Sequence, residues 1–484
     1  MRIGIIGAGI AGLGAAIRLQ AKGHEVEVFE ANAYPGGKLA EIQVGNYRFD
    51  AGPSLFTMPH FIEELFSLSE IDIEAYFSYE KLDAVCHYFW EDGKRLKSYS
   101  DPQKFAEEVE AQLEVPKSVL LNSLADSRHK FEVTEEIFLH QSLHRARNFL
   151  SSKVVRGILN MPRLHIFQTM HDWNVKHLKE PHLVQLFDRF ATYNGSSPYQ
   201  ASAIMHSIPH LEHGIGAFFP HGGMVNIPRA LHRLAEAKGV RFHFEAPVQR
   251  IKVENGIATG FETESGTQTF DRVVSNMDVN FTYRKLMPDQ AAPEKTLAQE
   301  KSTSALILYW GIKREFPELG VHNIFFTEDY KTEFEHLRKG SVYHDPTVYI
   351  HISSKVEKTD APTGCENWFT MINVPYNSGQ DWDAIIQNSR KQIIEKLSRL
   401  LETDIEPLIE GEAILDPRSI ESRTWSHLGA LYGTSSNNRN AAFLRHPNFS
   451  RRIKNLYFCG GSVHPGGGIP LALLSGKIVA NELR

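Results

Sequence analysis

The sequence predicts an α/β fold: a Rossmann-type nucleotide-binding domain with a second β-sheet domain and an inserted helical domain. Three observations lead there. Residues 2–30 read as strand, glycine-rich turn, helix and strand. Residues 101–189 carry helical periodicity with few glycines, and from residue 304 onward several segments alternate with a period of two.

Size and charge bound the function. A chain of 484 residues, 42% hydrophobic and 23% charged, buries a large core and is too long for a single small binding module. Fifty-two Lys and Arg against 58 Asp and Glu give a formal charge of -6, which argues against a general nucleic-acid binder. Cys86, Cys365 and Cys459 lie far apart and form no C-x-x-C pair, so no disulfide framework or zinc ribbon is expected and a reducing, cytoplasmic setting is. The N-terminus lacks the basic region and cleavage site of a signal peptide. No stretch reaches the roughly 18 uninterrupted apolar residues of a membrane span, so a soluble or peripheral protein is expected.

The elements follow in order. Arg2 to Gly7 reads as a short buried strand, Ala11 to Lys22 as a helix that turns Leu13, Ile17 and Leu19 inward and ends at Gly23, and Glu25 to Glu30 as a second strand. Pro35-Gly36-Gly37 and Gly45-Asn46 mark turns around short extended pieces. Helical spacing at Val119, Leu120, Leu124, Phe131, Ile137 and Phe138 predicts the inserted helices. Residues 140–189 hold eight Lys and Arg against three Asp and Glu, a local positive excess. Ile227 to Lys238 reads as a helix, and strands follow near 241–244, 248–253 and 259–263, with a hairpin at Ser265-Gly266. Strands at 304–312, 347–353 and 368–374 and an amphipathic helix at 383–401 complete a second sheet domain.

Gly7-Ala8-Gly9-Ile10-Ala11-Gly12 fits G-x-G-x-x-G between a strand and a helix. Gly7 permits the tight turn, Gly9 lets the backbone approach a pyrophosphate, and Gly12 allows close packing, with the helix N-terminus facing the anion. Eighteen residues after Gly12, Glu30 ends the second strand with a carboxylate suited to a ribose hydroxyl. Tyr34-Pro35-Gly36-Gly37-Lys38 then places a second glycine pair and a cation within reach of the same ligand. Near the C-terminus, Asn455 to Gly461 reads as a strand and Ser462 to Gly468 as a loop, and Ile469-Pro470 opens a helix whose N-terminus can meet an electron-rich ring edge or phosphate.

His464-Pro465-Gly466-Gly467-Gly468-Ile469-Pro470 resembles the His-Pro-Gly-x-Gly-x-Pro signature of bacterial-type phytoene desaturases and their relatives, FAD-dependent carotenoid desaturases. Phe49-Asp50-Ala51-Gly52-Pro53-Ser54 is similar to that family's Phe-Asp-x-Gly-Pro-Thr segment, with Ser for Thr. Tyr193 to Pro198, Phe219 to Met224 and Val273 to Asp278 also look like family segments. Gly36-Gly37-Lys38, where Arg is usual, and Met224, where Thr is common, resemble the 1-hydroxycarotenoid 3,4-desaturase branch.

The resemblance implies a glutathione reductase/amine oxidase-like FAD-binding domain built from 1–80, 214–285 and 445–484. A substrate-binding domain would comprise 81–100 with 286–444, and a helical, membrane-contacting domain 101–213. It implies that FAD is held by Gly7, Gly9, Ile10, Ala11, Gly12, Glu30, Gly36, Gly37, Lys38, Gly52, Pro53 and Ser54. Val248, through its backbone, and Gly460, Gly461, Ser462, Ile469, Pro470 and Leu471 would complete that site. The expected activity is introduction of C=C bonds into a lipophilic carotenoid, preferentially as a 1-hydroxycarotenoid 3,4-desaturase. The alternatives are a phytoene or neurosporene desaturase, or a non-redox isomerase or a saturase on the same scaffold.

Several residues carry two readings. His464 is the one candidate proton acceptor, or else a loop-shaping residue, and Asp50 equally caps a turn. His206, His210 and His213 suggest a metal, but Pro209 interrupts their helix and no metal is expected. Cys459 reads as a small buried strand residue. Arg145, Arg147, Lys153, Arg156 and Arg163 interleave with Phe149, Leu150, Val154, Val155, Ile158 and Leu159, as in a helix lying on the inner face of a membrane, or in a solvated face over a local core. No second G-x-G-x-x-G joins a strand to a helix, so electrons are expected to pass to an external acceptor such as quinone or oxygen.

Overall fold

The computed structural model describes residues 1–135, 139, 141–145, 148, 164–438 and 444–483. Five parallel strands form one sheet in the order Leu456–Phe458, Arg272–Ser275, Arg2–Ile6, Glu25–Phe29 and Arg241–His243. Arg2–Ile6 is central because its apolar side chains are covered on both faces, as parallel strands require. The chain leaves this strand for Glu25–Phe29 on one side, and the distant strand Arg272–Ser275 docks on the other. The carboxyl end of Arg2–Ile6 is thus the topological switch point, where ligands of open α/β sheets bind.

The predicted helix occupies Ile10–Ala21 and buries Leu13, Ile17 and Leu19. It packs against the C-terminal helix Ile469–Glu482, where a Cβ at Gly476 would come within 2.7 Å of the Ala11 carbonyl oxygen. Glu41–Val44 and Tyr47–Asp50 pair across the predicted turn at Gly45. A three-stranded antiparallel sheet of Arg250–Glu254, Ile257–Thr263 and Gly266–Thr269 includes the predicted hairpin.

The largest sheet has seven strands in the order Ile409–Leu415, Ser304–Ile312, Glu366–Val374, Val348–Ile352, His322–Phe325, Ala84–Phe89 and Arg95–Tyr99. One face carries Leu306, Leu308, Ile350, Trp368 and Ile372 into a core closed by Ile393 and Leu397 of helix Trp382–Leu400. The alternate residues Ala305, Ile307, Tyr349, Phe369 and Met371 turn to the opposite face.

Helices Pro102–Leu113, Lys117–Thr134, Met170–Leu178 and Pro181–Asp188 lie in the predicted helical region. Leu120, Leu124 and Phe131 are buried as expected. Ile137, Phe138, Arg147, Phe149, Leu150, Lys153, Val154, Val155, Arg156, Ile158, Leu159 and Arg163 lie outside the described residues. Arg145 is described: it pairs with Glu482 at 3.0 Å and its guanidinium stacks on Phe449.

Candidate flavin and substrate site

The two N-terminal glycine elements interlock. The Gly36 N–H donates to the Ala8 carbonyl at 2.9 Å, and Gly9 bridges to Gly36. Gly12 must lack a side chain, since a Cβ there would stand 2.2 Å from the Gly7 carbonyl oxygen; at Gly52 it would stand 1.9 Å from that of Lys38. The helix begins after Gly9 with no side chain of its own N-cap residue to satisfy its leading N–H groups, the arrangement that receives a phosphate.

Glu30 ends its strand buried. Its Oε2 accepts from the Ala8 N–H at 2.7 Å and Oε1 from the Asn32 N–H at 2.9 Å, which fixes the carboxylate and leaves lone pairs for a sugar hydroxyl. Val248 lies two residues beyond Ala246, whose N–H bonds to the Glu30 carbonyl.

Helix Ile469–Glu482 is the second open N-terminus: Gly468 precedes it with φ +102° and no side-chain cap. Gly460 donates to Ser475 Oγ at 3.1 Å, and Ser462 Oγ accepts from the Val279 N–H at 3.0 Å. Asn276, which lies in the family-like segment Val273 to Asp278 but was given no role there, also belongs to this site. With its amide oxygen turned toward them, it accepts from the N–H groups of Gly9 at 3.1 Å and Gly12 at 3.3 Å. The signal was its place directly after a strand that joins the central sheet.

A cavity of about 860 Å³ opens from these loops. Gly9, Ile10, Ala11, Gly36, Gly37, Lys38, Gly52, Pro53 and Ser54 line it, as do Gly460, Gly461, Ser462, Ile469, Pro470 and Leu471. Gly7, Gly12, Glu30 and Val248 are not among the residues that line it. Beyond the loops the cavity is mainly apolar, floored by Ile307, Phe369 and Met371 of the seven-stranded sheet and walled by Phe131, Ile166, Ile204 and Leu211 of the helical region, with Arg189, Glu212, His322 and Tyr349 also on its wall. Phe167 lies on it as well and is 77% exposed. Two helix N-termini that begin at glycines without a capping side chain of their own, paired glycine loops and a buried carboxylate fit a dinucleotide, and the mainly apolar remainder fits a long hydrocarbon.

Lys38 donates to the Leu431 carbonyl at 2.8 Å, and burial pushes its ammonium down to about 8 against the opposing pull of Asp278. Asp50 caps the turn that precedes helix Asn226–Ala237, accepting from the N–H groups of Met224 at 2.9 Å and Val225 at 3.1 Å, in line with the turn-capping alternative. Cys459 is buried, and burial pushes its thiol well up.

His464 lines the cavity but is poorly built as a base. Its Nε2 meets the Gln141 carbonyl at 3.0 Å, so Nε2 carries the proton; Nδ1 is sealed in without a partner among the described residues, and burial pushes the imidazole down to about 3. The geometry is that of the loop-shaping alternative. His206, His210 and His213 face different surroundings: His206 packs on Trp173, His210 on Phe131, and His213 bonds to the Tyr99 carbonyl at 3.1 Å.

Residues 10–484 match the flavin-containing amine oxidoreductase family, and the chain belongs to it. It is a flavin-dependent oxidoreductase, and its fold is shared by solved amine oxidases. Putrescine oxidase bound to putrescine superposes with a TM-score of 0.66 at 13% identity, covering 100% of this chain and 99% of that one. Cyclohexylamine oxidase from Brevibacterium oxydans IH-35A gives 0.61 at 15% identity, covering 100% and 99%. In sequence, the chain is 52% identical to the 1-hydroxycarotenoid 3,4-desaturase of Flavobacterium sp. (strain P99-3) over 99% of this chain and 98% of that protein. It is 30% identical to the 4,4'-diapolycopene oxygenase of Methylomonas sp over 100% and 98%. Among the described residues no helix is long and apolar enough to cross a membrane.

Proposed function

We propose that this protein is an FAD-dependent carotenoid desaturase that dehydrogenates the 3,4 bond of a 1-hydroxycarotenoid. The observation that carries the reading is the single cavity that joins the glycine loops to an apolar slot, in a chain 52% identical to a protein of that name. Gly9 to Gly12, Glu30, Gly36, Gly37 and Ile469 to Leu471 hold the FAD; when bound, it supplies the two-electron acceptor that dehydrogenation of a C–C bond requires. The chain's own residues hold the polyene in register and exclude water, with Phe131, Ile307, Phe369 and Met371 as its packing surfaces. His464 fixes the loop before Ile469 and takes no proton.

The strands of the five-stranded sheet lie within 1–80, 214–285 and 445–484 and those of the seven-stranded sheet within 81–100 and 286–444, which supports a division into FAD-binding and substrate-binding domains. The protein works at the cytoplasmic surface of a membrane, where a carotenoid dissolves. Phe167, exposed on the cavity wall beside a segment rich in Lys and Arg, supports this docking face. Reduced flavin passes its electrons to an external acceptor such as quinone or oxygen.

Anaerobic mixing of the FAD-loaded protein with liposomes carrying a 1-hydroxycarotenoid tests the reading. Bleaching of the oxidised flavin band is expected. Retained oxidised flavin, with bleaching by simple amines instead, would overturn it.

A further inference from the structure

Resting on that function, a specificity site follows from the chemistry of the substrate. A hydroxyl on C1 lies two carbons from C3 and three from C4, on the order of 5 Å from the reacting bond. A side chain that recognises it must therefore adjoin the flavin loops.

A chain of three polar residues, Ser54, Tyr349 and His322, meets this condition. Ser54 directly follows Gly52-Pro53, the segment packed against the Lys38 carbonyl, and its Oγ lies 2.8 Å from the Tyr349 hydroxyl. Tyr349 is held in turn by His322 Nδ1 at 2.8 Å. His322 and Tyr349 are diagonal neighbours on adjacent strands, since His322 pairs with His351 and Ile324 with Tyr349. All three residues line the cavity. Burial holds the Tyr349 phenol above its ordinary value and the His322 imidazole below its own, so both stay neutral hydrogen-bonding groups. Among the described residues Ser54 Oγ bonds only to Tyr349, and a serine hydroxyl has further capacity. A second polar cluster of the wall is closed on itself: Glu212 is shared by Arg189, at 3.0 Å, and the Tyr193 hydroxyl.

We infer that Ser54 and Tyr349 form the site that binds the substrate's tertiary hydroxyl, with His322 as the positioning residue that orients the Tyr349 hydroxyl. The site discriminates against carotenoids that lack the hydroxyl, because an apolar end group would strip Ser54 of its only possible further partner in a dry slot.

The test is equilibrium binding of a matched pair, a 1-hydroxycarotenoid and the same polyene without the hydroxyl. Both are presented in detergent micelles to FAD-loaded wild type and to Tyr349→Phe, Ser54→Ala, His322→Ala and His322→Asn, and flavin content is recorded for each. Wild type should prefer the hydroxylated member by about tenfold or more. Tyr349→Phe, Ser54→Ala and His322→Ala should bring the ratio toward one, and His322→Asn, which restores a hydrogen-bonding group near Nδ1, should recover part of it. A wild-type ratio near one overturns the assignment without requiring any variant to fold, as does a ratio preserved in folded Tyr349→Phe. Preference for the hydroxylated member without any dehydrogenated product would sink the proposed reaction while the hydroxyl site stands.

Discussion

Glu30 shows how one side chain serves both fold and ligand. Its carboxylate receives the Ala8 N–H within the turn that faces the pyrophosphate, so Glu30→Ala removes a ribose partner and loosens that turn together. Retained FAD after gel filtration should fall at least tenfold, measured as flavin absorbance per protein. His464 makes the opposite case. With its imidazole pushed down to about 3, it is neutral throughout pH 5–8, and the pH–rate profile of desaturation should keep its shape in His464→Gln; loss of a limb in that variant would restore His464 as a proton acceptor. Arg145 is tied to Glu482 and Phe449, so Arg145→Glu should lower the apparent melting temperature by a few degrees at most rather than weaken liposome binding. Glu30 was legible because its carboxylate's partners, Ala8 and Asn32, lie close to it in the first βαβ unit and the turn after it. Asn276, Tyr349 and His322 were not, because only strand register brings them to the glycine loops.

At the scale of elements, the local motifs read directly and the long-range ones did not. Strand, glycine turn and helix at 2–21 follow from spacing alone, and helices Ile10–Ala21 and Trp382–Leu400 stand within one residue of the expected positions. Ser304–Ile312 is buried on both faces, so its period of two could not tell which face meets a core and which a cavity. The partner of each face, helix Trp382–Leu400 or the substrate slot, is set by tertiary packing. The interlocked loops yield a sharp expectation. Gly12→Ala places a Cβ 2.2 Å from the Gly7 carbonyl oxygen, and the variant should purify without flavin or fail to fold. A flavin-replete Gly12→Ala would refute the close approach of helix and turn.

Over the whole molecule, buried histidines set the acid limit. Burial holds His351 at about 3, His446 at about 4 and His464 at about 3, all below the ordinary value near 6.5. The unfolded chain therefore binds protons that the folded chain refuses, and stability rises with pH across this window. It is fully present above about pH 6.5 and is lost as pH falls from there toward 3, by up to about 1.4 kcal/mol per pH unit for each histidine. Thermal unfolding between pH 7 and 4 should show a falling midpoint; a flat profile would mean that these rings are not buried neutral. The exposed Phe167 belongs to the same scale, and Phe167→Asp should lower partitioning to anionic liposomes at unchanged flavin content.

The most direct measurement of the proposed function is the product itself. FAD-loaded protein is incubated with liposomes containing phytoene, neurosporene, γ-carotene or their 1-hydroxylated forms, and the extracted pigment is resolved by chromatography with mass and absorption spectra. Loss of two hydrogens with a red-shifted spectrum, confined to the 1-hydroxylated forms, is expected. Unchanged mass with altered retention, gain of an oxygen atom, or no change in any 1-hydroxylated carotenoid would contradict it.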